Sequence, residues 1–221
     1  MALPGLKSSF AEMGTRGPGL FITLEGAEGV GKSTAATKLA DLLRADGHEV
    51  LLTREPGGTK GAEAIRQLLL EPTTPLVPMA QTLLHFAARV DHVEQSIRPT
   101  LAQGKIVICD RFYDSTLAYQ AYGQDVAVAD VQGLIKMTRL MPDITFLLEL
   151  SEAQALQRLT IRASGTDRYE EMGREFFKRV REGFDLLASA EPERFVRVDA
   201  SLPANDVATT LRQVVRERSG R

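Results

Sequence analysis

The 221-residue sequence lacks a pair of cysteines, a dominant charge of one sign and any long apolar run. Its one cysteine, Cys109, cannot form an internal disulfide, and its position after the apolar residues 106–108 indicates a small buried side chain. The 27 basic and 29 acidic residues are scattered and leave a net charge of -2, which gives no indication of a nucleic-acid or membrane partner. Because a secretory signal pattern is also absent, we expect a cytoplasmic protein that binds small molecules.

The first 19 residues contain two prolines and four glycines but no apolar period that would bury a face. We interpret residues 1–19 as a flexible leader and assign it no function. The remaining residues, 20–221, suit one domain, and they contain no internal repeat or low-complexity run. We therefore predict a single domain after the leader.

Short apolar runs rich in β-branched residues alternate with segments of helical period. The runs that predict strands are residues 20–24, 49–53, 105–109, 144–150 and 195–198. The predicted helices are residues 32–44, 62–70, 79–103, 115–121, 126–140, 152–162, 171–188 and 204–218. We expect the longest of them to be disturbed before Pro99. The alternation is typical of an α/β fold in which a five-stranded parallel sheet is flanked by helices.

Residues 26–33 fit the pattern G-x-x-x-x-G-K-[ST] and directly follow the first predicted strand. In such a loop the glycines let backbone amides face phosphate oxygens, Lys32 reaches the terminal phosphates and the Ser33 hydroxyl ligates magnesium. The pattern predicts a site for a nucleoside triphosphate and Mg²⁺. The residues expected to form it are Gly26, Ala27, Glu28, Gly29, Val30, Gly31, Lys32, Ser33 and Thr34. The loop alone does not indicate what receives the phosphoryl group.

Polar side chains also end the neighbouring predicted strands. Because ligands bind at the carboxyl ends of the strands in an open parallel sheet, we expect Arg54, Asp110 and Arg111 beside the phosphate loop. Glu25 ends the first strand at the same edge, and Glu55 follows Arg54 there. Asp110 is expected to hold magnesium together with Ser33, and the planar fork of Arg111 suits a phosphate. Arg54 precedes a turn rich in proline and glycine, where it is either a second phosphate contact or a solvated charge.

Four motifs together resemble those of the bacterial thymidylate kinases: residues 21–33, 53–59, 86–89 and 110–120. The resemblance extends over essentially everything after Gly19. It implies a P-loop NTPase-type three-layer fold and transfer of the γ-phosphoryl group of ATP to dTMP, which gives dTDP and ADP for DNA synthesis. It also implies a homodimer, and the helix that begins at Met79 is a plausible interface element.

The resemblance also implies how the phosphate and sugar of dTMP are bound. Arg54 and Arg111 would hold the acceptor phosphate. Glu28 would bond the 3'-hydroxyl, although a carboxylate in a loop can also be simply solvated. Tyr119 would lie against the deoxyribose and leave little room for a 2'-hydroxyl, unless it only packs within the protein.

The thymine base would be read by Arg89, Thr116 and Gln120. One position departs from the family pattern, because the phenylalanine expected four residues before Arg89 is His85 here, and Phe86 follows it. Successive helix residues point about 100° apart, so Phe86 cannot simply replace His85. We rank His85 first and Phe86 second as the platform that stacks on the base, with a place in the core as the alternative for Phe86.

The segment of residues 158–170 resembles the lid of the family. The phosphate loop has no basic residue among its variable positions, as in members that carry catalytic arginines in the lid instead. Arg158, Arg162 and Arg168 are then candidates to neutralise charge on the transferring phosphoryl group. Arg158 and Arg162 are also spaced like ordinary exposed charges on one helix face.

The predicted catalytic set therefore consists of Lys32, Arg54, Asp110 and Arg111 together with the three lid arginines. Two other functions stay open from the sequence. The first is a kinase for another deoxynucleotide or a deoxynucleoside on the same scaffold. The second is a nucleotide-dependent switch, although a switch has no need of arginines that face an acceptor phosphate.

Overall fold

The computed structural model of the protein describes residues 18–71, 73–162 and 172–219, without the side chains of residues 159–162 and 219. Residues 1–17 of the predicted leader and residues 163–170 of the predicted lid lie outside the described part of the chain.

A five-stranded parallel sheet forms the centre of the fold, as the sequence predicts. Its strands are β1 (Leu20–Glu25), β2 (Val50–Arg54), β3 (Ile106–Asp110), β4 (Ile144–Glu149) and β5 (Phe195–Asp199). They lie side by side in the order β2-β3-β1-β4-β5. Each observed strand agrees with a predicted run to within one residue at either end. The order places β1, which leads into the phosphate loop, at the middle of the sheet.

Helices connect the strands, and two of the connections contain π-helical segments, Val93–Ile97 and Leu117–Gly123. The first follows α3 and ends directly before α4, so the predicted disturbance before Pro99 is a widened turn rather than a break. Among the described residues, no helix combines the length and the apolar character needed to cross a membrane. The described α-helices are α1 (Lys32–Ala45), α2 (Lys60–Leu70), α3 (Pro78–His92), α4 (Arg98–Ala102), α5 (Tyr113–Thr116), α6 (Val128–Thr138), α7 (Glu152–Arg162), α8 (Arg174–Ala190) and α9 (Ala204–Ser219).

Two apolar cores lie on opposite faces of the sheet, because neighbouring residues of a strand point to opposite sides. In β3, Ile108 packs into the core beneath α1 and α9, whereas Val107 and Cys109 pack into the core beneath α3, α6 and α8. Both faces of the central strands are therefore buried, which explains their continuous apolar runs. The charged residues of β1, β3 and β4 stand at the carboxyl ends of these strands, whereas the polar Thr23 and Thr145 hydrogen-bond to each other within the sheet.

Candidate active site

The carboxyl ends of β1, β2 and β3 meet at one edge of the sheet, because these strands are parallel neighbours. In their register, Asp110 at the end of β3 lies beside Leu24 of β1 on one side and beside Arg54 of β2 on the other. The phosphate loop leaves β1 at this same edge. The fold thus brings together the three strand ends that the sequence marks with polar residues.

The phosphate loop relies on glycines where the backbone turns sharply. Gly26, Gly29 and Gly31 have φ values of 136°, 76° and 94°. A Cβ atom on Gly26 would lie 2.5 Å from the carbonyl oxygen of Leu148, so a side chain is excluded there. Gly31 precedes α1 without a side-chain cap, which leaves the first amides of the helix available to a phosphate.

Lys32 is buried within the loop. Its Nζ donates to the carbonyl oxygens of Gly26 (3.0 Å) and Ala27 (2.8 Å). Burial, together with the charge of Arg111, lowers the pKa of Lys32 to about 8. The side chain of Val30 belongs to the core, so only its backbone can face a nucleotide. The loop therefore holds one desolvated cation among its own carbonyl groups.

Two hard oxygen ligands lie at the start of α1 and the end of β3. The Ser33 hydroxyl donates to Oδ2 of Asp110 at 2.5 Å, so the two side chains that the sequence predicts as magnesium ligands are in contact. Hydroxyl and carboxylate oxygens, completed by phosphate and water, are the ligands that Mg²⁺ prefers. The pair fits that ion. Thr34, next along α1, is exposed.

Arg111 lies at the centre of the site. Its guanidinium contacts both the phosphate loop and the helical segment that follows β3. The backbone at Arg111 has a φ of 70°, a left-handed conformation that is uncommon for a residue with a side chain. One nitrogen, Nη1, donates to the Gly26 carbonyl (3.2 Å) and to Ser115 Oγ (2.9 Å). The other, Nη2, donates to Glu28 Oε1 (2.5 Å) and to the Tyr119 hydroxyl (3.2 Å).

Glu28 faces Arg111 from the variable part of the phosphate loop. Burial alone would raise the pKa of Glu28, but the charges of Arg111 and Lys32 outweigh it and lower the pKa to about 2. The carboxylate also accepts a hydrogen bond from the Tyr119 hydroxyl at 3.3 Å. The Tyr119 ring is buried and meets Phe176 of α8 edge to face, with 6.0 Å between ring centroids. Glu28 is thus an ionised carboxylate in direct contact with the central arginine.

Glu25, buried at the end of β1, accepts hydrogen bonds from two residues close to Arg111. Its Oε1 accepts from the amide of Phe112 (2.7 Å), and its Oε2 accepts from Ser115 Oγ (2.6 Å), which in turn contacts Arg111. Burial, followed by the nearby Asp114 carboxylate, raises the pKa of Glu25 to about 8. The sequence marks Glu25 only by its place at a strand end, and its contacts with Ser115 and Phe112 were not predicted.

A second group of charges follows β2. Arg54 Nη2 donates to both carboxylate oxygens of Glu63, at 3.2 Å each, and Glu63 also accepts from the amide of Gly58 (3.1 Å). Arg66, one turn further along α2, donates to the carbonyl of Pro56 at 2.8 Å. Burial and the neighbouring Arg54 charge lower the pKa of Arg66. Arg54, which the sequence predicts as a phosphate contact, is thus paired with the Glu63 carboxylate of α2.

Arg89 of α3 is buried, unlike Arg54. Its Nε donates to Glu55 Oε2 (2.7 Å), and its Nη2 donates to Thr116 Oγ1 (3.1 Å). Its Nη1 is also buried and has no hydrogen-bond partner among the described residues. Gln120, the third predicted reader of thymine, is buried beyond Thr116 on the following π-helical segment. The structure thus brings Arg89 and Thr116 into contact, and Gln120 lies four residues after Thr116 along the same helical stretch.

The two candidate platforms for a base differ in their surroundings. Phe86 is buried in the core, and its ring lies 4.6 Å from the guanidinium carbon of Arg89. His85 is only partly buried by surface area. Its pKa is lowered to about 3 by burial and by the charges of Arg89, Arg111 and Arg66. The imidazole of His85 is therefore neutral at physiological pH.

Among the lid arginines, only Arg158 has a described side chain. Its guanidinium donates to the carbonyls of Val30 in the phosphate loop (3.3 Å) and Ala200 after β5 (2.9 Å). Arg162 ends α7 but its side chain is outside the described part, and Arg168 lies outside it altogether. Arg158 thus lies against the phosphate loop.

His92 and Glu63 were not singled out by the sequence patterns, and Glu55 was marked only by its place after Arg54 at a strand end. Glu55 and His92 contact each other beneath Arg89, and Glu63 contacts Arg54. The available signal was spacing: His92 lies three residues after Arg89, so the two polar residues share the buried face of α3 with Phe86. Such a pair on a core-facing side indicates a buried network.

A nucleotide loop and a second arginine site, joined at one sheet edge by Arg111, define a nucleoside monophosphate kinase. A family model described as thymidylate kinase matches residues 24–211. The chain belongs to the thymidylate kinase family, and its activity is the transfer of the γ-phosphoryl group of ATP to dTMP, which gives dTDP.

Individual relatives agree with the family model over nearly the whole chain. The thymidylate kinase of Gluconobacter oxydans (strain 621H) is 53% identical over 205 residues, which are 91% of this chain and 96% of the relative. That of Caulobacter vibrioides is 44% identical, covering 91% and 98%. The crystal structure of thymidylate kinase from Ehrlichia chaffeensis superposes with a TM-score of 0.75 at 34% identity, covering 89% of this chain and 98% of that one.

Proposed function

We propose that Arg111 couples the two halves of the dTMP kinase reaction in this chain. The observation that carries the proposal is its guanidinium, which contacts both the Gly26 carbonyl and the Glu28 carboxylate of the phosphate loop while extending from β3 toward the acceptor side. A cation held in this way is fixed before the reaction begins. Preorganised charge of this kind lowers the barrier without reorganisation at the moment of transfer.

At the donor side, the amides of the phosphate loop and Lys32 bind the phosphates of ATP. Ser33 and Asp110 would hold Mg²⁺, as their contact and oxygen chemistry support. The ion, when bound, neutralises charge on the β- and γ-phosphates. The lowered pKa of Lys32 reflects its burial, and phosphate oxygens supply the negative charge that keeps its ammonium protonated.

At the acceptor side, Arg54 and Arg111 orient the phosphate of dTMP. A phosphate oxygen is already an effective nucleophile at neutral pH, so positioning is needed rather than a general base. Glu28, whose low pKa keeps it ionised, accepts from the 3'-hydroxyl of the sugar. Tyr119, buried and bonded to Arg111, fills the space in which a 2'-hydroxyl would lie.

At the base, Arg89, Thr116 and Gln120 read the edge of thymine. Arg89 Nη1 is a buried donor without a partner among the described residues, and an unmade hydrogen bond of this kind costs about 1–3 kcal/mol. A pyrimidine carbonyl would satisfy it. We assign the stacking platform to His85, because its ring is neutral and only partly buried by surface area, whereas Phe86 is part of the core.

The lid supplies the remaining charge. Arg158 already contacts the backbone of the phosphate loop, which supports a place for it beside the β- and γ-phosphates. We extend the same proposal to Arg162 and Arg168 in the rest of the lid, at about residues 158–170. The lid belongs to the single domain that we propose for residues 20–221.

We also propose that the protein is a homodimer in the cytoplasm. Leu83 and Val90 are exposed apolar residues seven apart on α3, so they share one face, and Leu68 is exposed on α2, which packs against α3. A second copy would cover this face. Light scattering during size exclusion, with twice the chain mass expected, tests the association. The use of ATP and the buried free thiol of Cys109 support the cytoplasmic location.

A coupled assay with ATP, magnesium and a panel of acceptors tests the reaction and its specificity. We expect dTMP to give a higher kcat/KM than dCMP, dGMP or thymidine, because Arg89, Thr116 and Gln120 suit the thymine edge and Arg54 and Arg111 require a phosphate. Equal rates with thymidine would contradict the role of the two arginines. ATP hydrolysis that does not respond to dTMP would instead indicate a switch.

A further inference from the structure

Five polar side chains form a continuous hydrogen-bonded chain beneath the base site. Its links are Thr53 Oγ1 with His92 Nε2 (2.8 Å), His92 Nδ1 with Glu55 Oε1 (3.2 Å), Glu55 Oε2 with Arg89 Nε (2.7 Å) and Arg89 Nη2 with Thr116 Oγ1 (3.1 Å). His92, Glu55, Arg89 and Thr116 are all buried. We call this set the Thr53–Thr116 network. It joins the end of β2 to α3 and α5.

The network fixes the direction in which Arg89 can donate. A guanidinium is planar and rigid, so holding Nε and Nη2 also determines where Nη1 points. The rings of Phe86 and Phe112 lie 4.6 Å and 5.3 Å from the guanidinium carbon and restrict it further. The one remaining nitrogen, Nη1, is buried without a described partner. Nη2 keeps a second N–H, but Nη1 is the only guanidinium nitrogen without a described partner, so a small tilt of the plane would move the nitrogen that is left for a ligand.

His92 is held as firmly as Arg89. Both ring nitrogens are used: we assign Nδ1–H as the donor to the Glu55 carboxylate, and Nε2 hydrogen-bonds to the Thr53 hydroxyl. Gly58, at a φ of 87°, covers the ring so closely that a Cβ atom there would lie 2.3 Å from His92 Nε2. The turn that follows β2 therefore shields the imidazole from water.

A metal site is the rival explanation, because ligand atoms of Glu55, His92 and Cys109 lie within 4.8 Å of one another. The hydrogen bonds argue against it. Both carboxylate oxygens of Glu55 and both nitrogens of His92 already have partners, and the Cys109 thiol donates to the Arg111 carbonyl at 3.1 Å. Burial also raises the pKa of that thiol, which disfavours the thiolate that a metal requires.

We propose that His92 is a positioning residue for recognition of the base. By bonding Oε1 of Glu55 it orients the carboxylate, and through it aligns Arg89 Nη1 with the carbonyl at position 4 of thymine. Cytosine carries an amino group at that position, which cannot accept from Arg89. The inference rests on the proposed role of Arg89, and it assigns part of the selectivity for dTMP over dCMP to a residue that does not touch the substrate.

Two variants of His92 separate positioning from simple packing. The amide nitrogen of asparagine can occupy the place of Nδ1, whereas that of glutamine can occupy the place of Nε2. His92→Asn keeps a donor for Glu55, and we expect its ratio of kcat/KM for dTMP to dCMP to stay near that of the parent. His92→Gln loses this donor, and we expect the ratio to fall about tenfold, with a higher KM for dTMP and little change in kcat or in the KM for ATP.

Thermal unfolding of both variants shows whether each is folded at the assay temperature. If His92→Gln keeps the parental selectivity, or if the two variants lose it equally, the proposal is wrong. Arg89→Met tests the underlying assignment separately. Selectivity unchanged in Arg89→Met would refute the role of Arg89 itself, whereas selectivity lost in Arg89→Met but kept in His92→Gln would overturn only the role of His92.

Discussion

The phosphate end and the base end of the site both depend on arginine, but the arginines are held differently. At the phosphate end, the Arg54 side chain is 55% exposed and that of Arg111 is 17% exposed, and each faces a carboxylate. At the base end, the Arg89 side chain is 2% exposed and is fixed within the Thr53–Thr116 network. We relate this difference in exposure to the two parts of the ligand. A charged phosphate gains from nearby cations even where water remains, whereas a neutral base is recognised only by donors in a fixed, dry position.

Loss of charge at the phosphate end should have the largest effect on turnover. We expect Arg111→Ala to lower kcat by about a thousandfold, because one preorganised cation near the transferring group is removed. Steady-state kinetics measure the loss. ATP affinity, measured by calorimetry, should change little, because Lys32 and the loop amides remain. Near-normal kcat in this variant would refute the coupling role of Arg111.

A comparison of Arg89→Ala with Arg54→Ala should separate stability from activity. Both should lower kcat/KM for dTMP by about ten- to a hundredfold, because each removes charged hydrogen bonds to the acceptor. Only Arg89→Ala should also lower the free energy of unfolding, by about 3–5 kcal/mol, because Glu55 is left buried without its cation. Arg54→Ala should change stability by less than about 1 kcal/mol, since its ion pair is exposed.

Denaturant unfolding of the two variants provides the measurement, and each serves as the control for the other. Equal losses of stability would mean that the two ends of the site are held in the same way. In that case the different burial of Arg89 and Arg54 would have no consequence for stability.

Glu25, which supports the phosphate end, should make stability depend on pH. Its pKa is raised from 4.5 to about 8 in the fold, so between these values the folded protein retains a proton that the unfolded chain releases. The stabilising contribution is complete below about pH 4.5 and is lost as the pH rises through about 8. Glu25→Gln resembles the protonated carboxyl and does not titrate. The difference between the melting temperature of Glu25→Gln and that of the parent should therefore increase from pH 4.5 to about pH 8. If the two melting temperatures change in parallel with pH, the raised pKa is wrong.

The sequence was sufficient to predict the sheet, because strand ends and the phosphate loop depend on local signals such as apolar runs and glycine spacing. The motifs also marked Arg89 and Arg111, whose roles stay predictions. The sequence could not show that Glu55 and His92 meet Arg89, because that contact joins β2 to α3 across 34 and 37 residues of chain. Nor did helical periodicity reveal the two π-helical segments, since a widened turn changes the apolar pattern only slightly.

The hydroxyl of Tyr119 should contribute least among the groups compared, although it contacts both Arg111 and Glu28. Its hydrogen bonds are long, at 3.2 Å and 3.3 Å, and the site keeps the shorter contact between Arg111 and Glu28 without it. We expect Tyr119→Phe to lower kcat/KM for dTMP by about two- to tenfold. Discrimination against the ribonucleotide should persist, because the ring that fills the space near C2' remains. Tyr122→Phe is the matched control: its buried hydroxyl has no described partner, so kinetics should not change. A hundredfold loss in Tyr119→Phe would instead mean that the hydroxyl, rather than charge alone, holds Arg111 in place, and the phosphate end would then resemble the base end.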